Sequence, residues 1–234
     1  TYEDMSRRAA DLIAAQLVVD PTSTLGLATG STPIGLYADL VEDFQNDRIS
    51  FEQATTFNLD EYRGLSPEHD QSYRYFMQKN LFDHVDIDPE ATSVPDGANP
   101  DAEAACESYE QAISEAGGID LQLLGLGHNG HIGFNEPCDE FPVRTHLVQL
   151  TESTINANSR LFDSVDDVPR EAYTMGIGTI MKARAILVVA SGQDKAQIVR
   201  DAFFGPVPPQ VPASILQLHP NVTVVVDAEA GSLL

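Results

Sequence analysis

The 234 residues of the chain suffice for one α/β domain with a large core, and 42% of them are apolar, as in ordinary globular proteins. The formal net charge of −23 argues against nucleic acid or an anionic membrane as a partner, because such a field repels both. No apolar run approaches the ~18–20 residues that span a bilayer. Residues 1–16 read as an amphipathic helix rather than a signal peptide. We therefore expect a cytoplasmic protein in which the widely separated Cys106 and Cys138 stay reduced.

Strand-like and helix-like segments alternate along the chain, which predicts an α/β fold. The alternation favours a mostly parallel sheet of about seven strands with helices on both faces. No repeat or linker interrupts it, so residues 1–234 are predicted to form a single domain. The predicted strands are 24–28, 54–59, 121–126, 145–150, 172–175, 185–190 and 222–226. The predicted helices are 33–44, 72–81, 101–116, 152–162, 179–183 and 195–204.

The loop after the first strand reads Ala-Thr-Gly-Ser-Thr-Pro and leads into a helix. Thr32 is predicted as the N-cap and Pro33 as the first helical residue. Thr29, Gly30 and Ser31 add hydroxyls and a closely approachable backbone, which suits a phosphate group at a helix N-terminus. The spacing does not fit the GxxxxGK[ST] pattern of nucleotide triphosphate sites, and a simple capped turn is the other interpretation.

An acidic pair, Asp60 and Glu61, follows the second predicted strand. Ligands of parallel α/β sheets bind beyond the carboxyl ends of the strands, so a carboxylate there is placed to act as a general base. With 36 acidic residues in the chain, a solvated turn is the ordinary interpretation for any one of them. Its position beside the glycine-containing loop makes Asp60 the better candidate.

The segment after the third strand is rich in glycine and contains GxGxxG at Gly125, Gly127 and Gly130. A dinucleotide fingerprint should open a helix and be followed ~20 residues later by an acidic residue that ends the next strand. Pro137 interrupts this segment and the next strand ends near Leu150, so a dinucleotide site is not favoured.

Two histidines, His128 and His131, lie in the same segment. A zinc site is not favoured because no third ligand with matching spacing is evident. His131 lies where a ligand could approach the backbone, and Glu136 follows five residues later. A carboxylate near an imidazole fixes its tautomer and raises its basicity, so this pair is a candidate for acid–base work.

Two cations follow later strands. Arg160 lies on a helix after the fourth predicted strand, and Lys195 lies at a helix start after the sixth, behind a Ser-Gly turn. The ordinary interpretation of either cation alone is an exposed surface charge. If both converge on the Gly30 loop, they form a phosphate clamp.

Taken together, these segments resemble the glucosamine-6-phosphate deaminase family, also called glucosamine-6-phosphate isomerases. The resemblance extends from about residue 24 to the end of the chain, and the second and third of its segments are the most specific. The matching segments read LATGSTP (27–33), FNLDEY (57–62), GLGHNGHIGFNEP (125–137), NSR (158–160) and PASILQLHP (212–220).

The resemblance implies a modified Rossmann-like sheet and conversion of glucosamine 6-phosphate and water to fructose 6-phosphate and ammonia. It implies that Asp60 takes the C2 proton and returns it at C1. His131 would open the sugar ring, supported by Glu136. Asn129 matches a position that is aspartate in some members, and an asparagine can only orient His131 there. The phosphate would rest on Gly30, Ser31 and Thr32, with Arg160 and Lys195 as counter-ions.

The resemblance requires no metal or organic cofactor. Longer members carry a C-terminal extension tied to hexamer formation and allosteric activation. We therefore expect a monomer or low-order homo-oligomer without such activation, with a small sugar phosphate as the partner. Three alternatives stay open: a 6-phosphogluconolactonase-like enzyme, a deaminase for galactosamine 6-phosphate, and a non-catalytic sugar-phosphate sensor. A sensor that regulates transcription would need a basic DNA-binding module, and this sequence contains none.

Overall fold

The computed structural model describes residues 1–159, 162 and 164–234. In these residues it contains seven α-helices and nine β-strands, joined by loops and short 3-10 turns. The helices are α1 (Tyr2–Val19), α2 (Ile34–Gln45), α3 (Tyr73–Asn80), α4 (Ala102–Glu115), α5 (Glu152–Asn158), α6 (Ile177–Ile180) and α7 (Ala196–Phe204). The strands are β1 (Thr24–Leu27), β2 (Thr55–Asn58), β3 (Asp60–Tyr62), β4 (Thr92–Ser93), β5 (Leu121–Gly125), β6 (His146–Gln149), β7 (Glu171–Thr174), β8 (Ala185–Ala190) and β9 (Val222–Val226).

Six strands form a parallel sheet in the order β4-β2-β1-β5-β8-β9. The chain begins this sheet at β1, adds β2 and β4 on one side, and then adds β5, β8 and β9 on the other. The direction of winding therefore reverses between β1 and β5. In open α/β sheets, the carboxyl ends of strands at such a reversal border the crevice in which ligands bind.

The central strands of this sheet are buried on both faces. Consecutive residues of a strand point to opposite faces, and every residue of β1 is buried, as are all but the first of β8. The apolar sequence Ala-Ile-Leu-Val-Val-Ala of β8 is typical of a strand covered on both sides. On one face, Tyr109 of α4 packs edge-on against Phe57 of β2, with 5.8 Å between ring centroids.

A second, antiparallel sheet joins β3, β7 and β6. The sequence predicted about seven strands in one sheet, and that count is too high: predicted strands 145–150 and 172–175 belong to the second sheet. Residues of β6 are half-buried or exposed, unlike those of the main sheet. The short β3 and β4 were not predicted, because two or three residues are too few to show a period. The α/β class and the mostly parallel main sheet are confirmed.

The predicted helices lie close to the observed ones. Helix α2 begins one residue later than expected: Pro33 is its N-cap, and no side chain caps it. Helix α6 ends at Ile180, three residues before the predicted end. Helix α5 ends at Asn158, and part of predicted helix 152–162 lies outside the described residues.

Helix α1 has the amphipathic pattern expected from the sequence. Thr1 and Asp4 form a capping box at its start, and the buried face carries Met5, Ala9 and Ile13 against the core. Among the described residues, no helix is long and apolar enough to cross a membrane.

Candidate active site

The segments that follow β1, β2, β5 and β8 gather at one edge of the main sheet, at the reversal between β1 and β5. Two contacts join these loops directly. His128, after β5, bonds through Nε2 to a carboxylate oxygen of Asp194, after β8. A methyl group placed on Gly133, also after β5, would lie 3.4 Å from Oδ2 of Asp60, after β2. The segment after β5 thus lies beside the segments after β2 and β8.

Asp60 is the first residue of β3, at the bend where the chain leaves the main sheet for the antiparallel one. It pairs with Thr174 of β7 and is only 6% exposed. Its carboxylate makes no hydrogen bond within the described part of the chain. Burial raises the pKa of the Asp60 carboxyl to about 8, and the neighbouring charge of Glu61 adds to the rise. A buried, unpaired carboxyl with this pKa can exchange a proton near neutrality.

Glu61 is also buried but fully hydrogen-bonded. Its carboxylate accepts bonds from the backbone N–H groups of Tyr62 (2.8 Å), Tyr73 (2.9 Å) and Arg74 (3.0 Å). Burial raises the pKa of Glu61, while these three donors oppose the rise. Glu61 therefore fixes the start of α3 beside β3, whereas Asp60 keeps a free carboxylate.

His131 lies in a tight turn that glycines permit. Gly130 has a φ of +86°, and the backbone N–H of Gly127 donates to the carbonyl of His131 at 3.0 Å. A Cβ on Gly127 would come within 2.3 Å of His131 Nε2, so the imidazole occupies the space that this glycine leaves. The half-buried ring places Nδ1 3.6 Å from Oε2 of Glu136. That is an ion-pair distance, longer than a hydrogen bond.

Glu136 is held by further polar groups. Asn129 Nδ2 donates to its Oε2 at 2.6 Å, and Thr154 Oγ1 donates to its Oε1 at 2.5 Å. Burial disfavours the charged form, but the interaction with His131 and the bonds from Thr154 and Asn129 lower the pKa of Glu136 to about 2. Glu136 is therefore a fixed anion at neutral pH.

Asn129 connects the two groups. Its Oδ1 accepts a bond from the backbone N–H of His131 at 3.1 Å, while its Nδ2 binds Glu136. The sequence did not single out Thr154. It lies on α5, 18 residues after Glu136, and no local pattern brings the two together.

The loop after β1 is exposed or half-buried at Thr29, Gly30, Ser31 and Thr32. Gly30 has a φ of +96°, a conformation that glycine adopts without strain. Within the described residues, the backbone N–H groups of Gly30, Ser31 and Thr32 donate to no protein acceptor. The loop therefore offers free donors in front of α2, the arrangement that suits a phosphate group.

Lys195 is the N-cap of α7 and follows Gly192, whose φ is +99°. It is half-buried and makes no ion pair with any described residue, and burial lowers the pKa of its ammonium while Asp194 opposes the effect. Arg160, the second predicted cation, lies outside the described residues. His128, considered above as a metal ligand, is bound to Asp194, and no cluster of three or more metal-binding side chains occurs in the described chain.

Fold and site together define an α/β protein with a buried carboxylate and a paired imidazole at the reversal point of a parallel sheet. A family model described as glucosamine-6-phosphate isomerases/6-phosphogluconolactonase matches residues 1–225. The chain belongs to this family.

Curated relatives cover almost the whole chain. A glucosamine-6-phosphate deaminase of Halothermothrix orenii is 56% identical over 233 residues, which are 100% of this chain and 97% of the relative. A glucosamine-6-phosphate deaminase of Lachnoclostridium phytofermentans is 56% identical over 225 residues, covering 96% and 95% of the two chains.

Solved structures share the fold at two levels of similarity. A monomeric glucosamine-6-phosphate deaminase superimposes with a TM-score of 0.97 at 47% identity, covering 100% of this chain and 97% of the other. A 6-phosphogluconolactonase from Trypanosoma brucei gives a TM-score of 0.77 at 21% identity, covering 100% and 96%. The second likeness shows the fold alone.

Proposed function

We propose that the chain converts glucosamine 6-phosphate and water to fructose 6-phosphate and ammonia. The observation that carries the proposal is the buried, unbonded carboxylate of Asp60 beside the loop of His131 and Glu136. A reaction that moves a proton between two carbons needs such a base in a site that excludes water. The relatives named above as glucosamine-6-phosphate deaminases support the substrate.

The first step opens the pyranose ring. His131 takes the proton of the C1 hydroxyl and gives it to the ring oxygen as the bond between C1 and that oxygen breaks, and the anionic Glu136 lies 3.6 Å from its Nδ1. Asn129 holds the His131 backbone and Glu136 together, and Thr154 holds Glu136 from the other side. Because asparagine carries no charge, Asn129 orients the pair and takes no part in proton transfer.

The second step moves a proton from C2 to C1. Ring opening exposes an aldehyde, which acidifies the C2 proton, and the Asp60 carboxylate removes it. Return of the proton to C1, with one proton of the C2 nitrogen passing to the former aldehyde oxygen, leaves an imine at C2. Water adds to this imine, and the resulting carbinolamine releases ammonia and leaves the ketone of fructose 6-phosphate. One carboxylate on one face of the substrate can reach both carbons in turn.

Substrate binding brings Asp60 into its reactive form. In the free protein the Asp60 carboxyl is mostly protonated at pH 7, since its pKa is about 8. The substrate carries its amino group on C2, next to the proton to be removed. An ammonium cation at that place lowers the pKa of the carboxyl and favours the carboxylate.

The phosphate group binds at the other end of the sugar. Gly30, Ser31 and Thr32 supply free backbone N–H groups at the start of α2, and Thr29 adds a hydroxyl. Lys195, without an ion pair in the described structure, provides a positive charge, and Arg160 is proposed as the second cation. Fixing this end sets which carbon lies against Asp60, an orientation effect that contributes several kcal/mol in comparable cases.

A deaminase explains the site better than a lactonase. Lactone hydrolysis removes no carbon-bound proton and needs no base at C2, whereas Asp60 is buried beside the imidazole loop. Galactosamine 6-phosphate differs from the proposed substrate only at C4 and is the natural comparison substrate. We also propose that residues 1–234 act as one catalytic unit in the cytoplasm, as a monomer or low-order oligomer. Light scattering on the purified protein tests the oligomeric state.

The direct experiment measures ammonia release from glucosamine 6-phosphate by the wild type, by Asp60→Asn and by Asp83→Asn, which changes an exposed aspartate. Asp60→Asn should lose at least about 100-fold in kcat while binding of inorganic phosphate is retained. Asp83→Asn should match the wild type. An Asp60→Asn protein with near wild-type kcat would refute the proton-transfer role.

A further inference from the structure

The hydroxyl of Tyr2, on the first turn of α1, is hydrogen-bonded to backbone carbonyl groups of the loop that follows β1. It lies 3.0 Å from the carbonyl oxygen of Thr32 and 3.3 Å from that of Ser31, so its single proton is shared between them with the shorter contact to Thr32. It also accepts a bond from the backbone N–H of Gly35 at 2.9 Å. One side chain, 30 residues away in sequence, thus contacts three backbone groups of the loop and the helix start.

The contact with the Ser31 carbonyl fixes the direction of one donor that the site needs, whereas the Thr32 carbonyl belongs to the peptide of Pro33, which has no N–H. A trans peptide is planar, so its N–H points opposite to its C=O, and the chain contains no cis peptide. With the Ser31 carbonyl facing Tyr2, the N–H of Thr32 faces away from α1. The N–H of Gly35, one of the free donors of the first turn of α2, is occupied by the hydroxyl instead.

Tyr37 holds the other end of the same loop. Its hydroxyl donates to the carbonyl of Ala28 at 2.6 Å and accepts from the N–H of Ala28 at 3.3 Å. Tyr37 is fully buried, and burial raises the pKa of its hydroxyl, which therefore stays a donor at every ordinary pH. By the same planarity, the Ala28 carbonyl sets the direction of the Thr29 N–H.

We propose that Tyr2 and Tyr37 are positioning residues for phosphate binding: their hydroxyls orient the peptide planes at the two ends of the 28–32 loop. The proposal rests on the proposed function, in which this loop binds the phosphate of the sugar. Neither side chain touches the substrate. Orientation of donors before the ligand arrives raises affinity because less ordering remains to be done on binding.

The test removes only the hydroxyl of Tyr2. Tyr2→Phe should raise KM for glucosamine 6-phosphate about 3- to 10-fold, because the Thr32 N–H must then be ordered when the phosphate binds. Because the reacting carbons lie far from the loop, kcat should stay within about twofold, and the lost contacts should lower the Tm by no more than about 4 °C. Tyr75→Phe, which removes an exposed hydroxyl on α3, is the matched control and should leave all three values unchanged.

Binding of inorganic phosphate, measured by calorimetric titration, separates this proposal from the reaction itself. Tyr2→Phe should weaken it about 3- to 10-fold, whether or not the wild type acts on glucosamine 6-phosphate. Tyr37→Phe should weaken it as well, measured at a temperature where the variant is folded. Unchanged phosphate affinity in Tyr2→Phe would overturn the proposal, as would a fall in kcat and Tm at constant KM, which marks a purely structural role.

Discussion

Asp60 and Glu61 show how two neighbouring carboxylates of the same strand acquire different roles. Glu61 accepts three backbone hydrogen bonds and secures the start of α3. Burial raises the pKa of the Asp60 carboxyl to about 8, and none of the described residues donates a hydrogen bond to it. The difference arises from backbone geometry, since successive residues of a strand point to opposite faces. The carboxylate that the fold leaves unsatisfied is the one proposed to do the chemistry.

The raised pKa predicts the pH profile. The base must be ionised, so kcat/KM should rise about tenfold per pH unit below pH 8 and level off above it, because kcat/KM reports the free enzyme. The corresponding limb of kcat should lie at lower pH, since the bound ammonium lowers the pKa of Asp60. Initial rates from pH 5.5 to 9 measure both limbs. A kcat/KM that stays flat across this range would contradict a buried Asp60 with a raised pKa as the titrating base.

At the scale of elements, the turn from Gly127 to Gly133 brings the imidazole to the site. Gly127→Ala would place a methyl group 2.3 Å from His131 Nε2, so the ring must move. We expect kcat/KM to fall by more than about tenfold, because small displacements of a catalytic group are costly. Gly125→Ala is the control, since a Cβ there meets nothing within 4 Å. Equal activities of the two variants would show that the position of the ring does not matter.

The same elements show what the sequence could reveal. The bounds of β8 and β9 were predicted without error, because long apolar runs have a clear signature. The three-residue β3, which carries Asp60, is invisible to periodicity, and so is its pairing with β7. Local motifs indicated Asp60, His131, Glu136 and the Gly30 loop. Thr154 and Tyr2 could not be found in this way, since only tertiary structure brings them to their partners.

For the whole molecule, the net charge of −23 opposes the approach of a phosphorylated substrate. The proposed phosphate site therefore has to rely on local donors and on few cations: Lys195 is one of three lysines in the chain.

This charge predicts an unusual salt dependence. Raising the ionic strength from about 10 to 150 mM shortens the Debye length from about 30 to 8 Å, which screens the long-range repulsion more than the contacts inside the site. We expect kcat/KM to increase severalfold over this range with sodium chloride, while sucrose of equal viscosity has no such effect. A fall in kcat/KM would mean that attraction by the local cations dominates.

The transfer of hydrogen from C2 to C1 tests the central claim most directly. Glucosamine 6-phosphate labelled with deuterium at C2 is converted by the wild type, and kcat/KM is compared with that of the unlabelled substrate. We predict a primary isotope effect and deuterium at C1 of the fructose 6-phosphate, because the buried Asp60 carries the label from one carbon to the next. No isotope effect together with no deuterium at C1 would contradict the account.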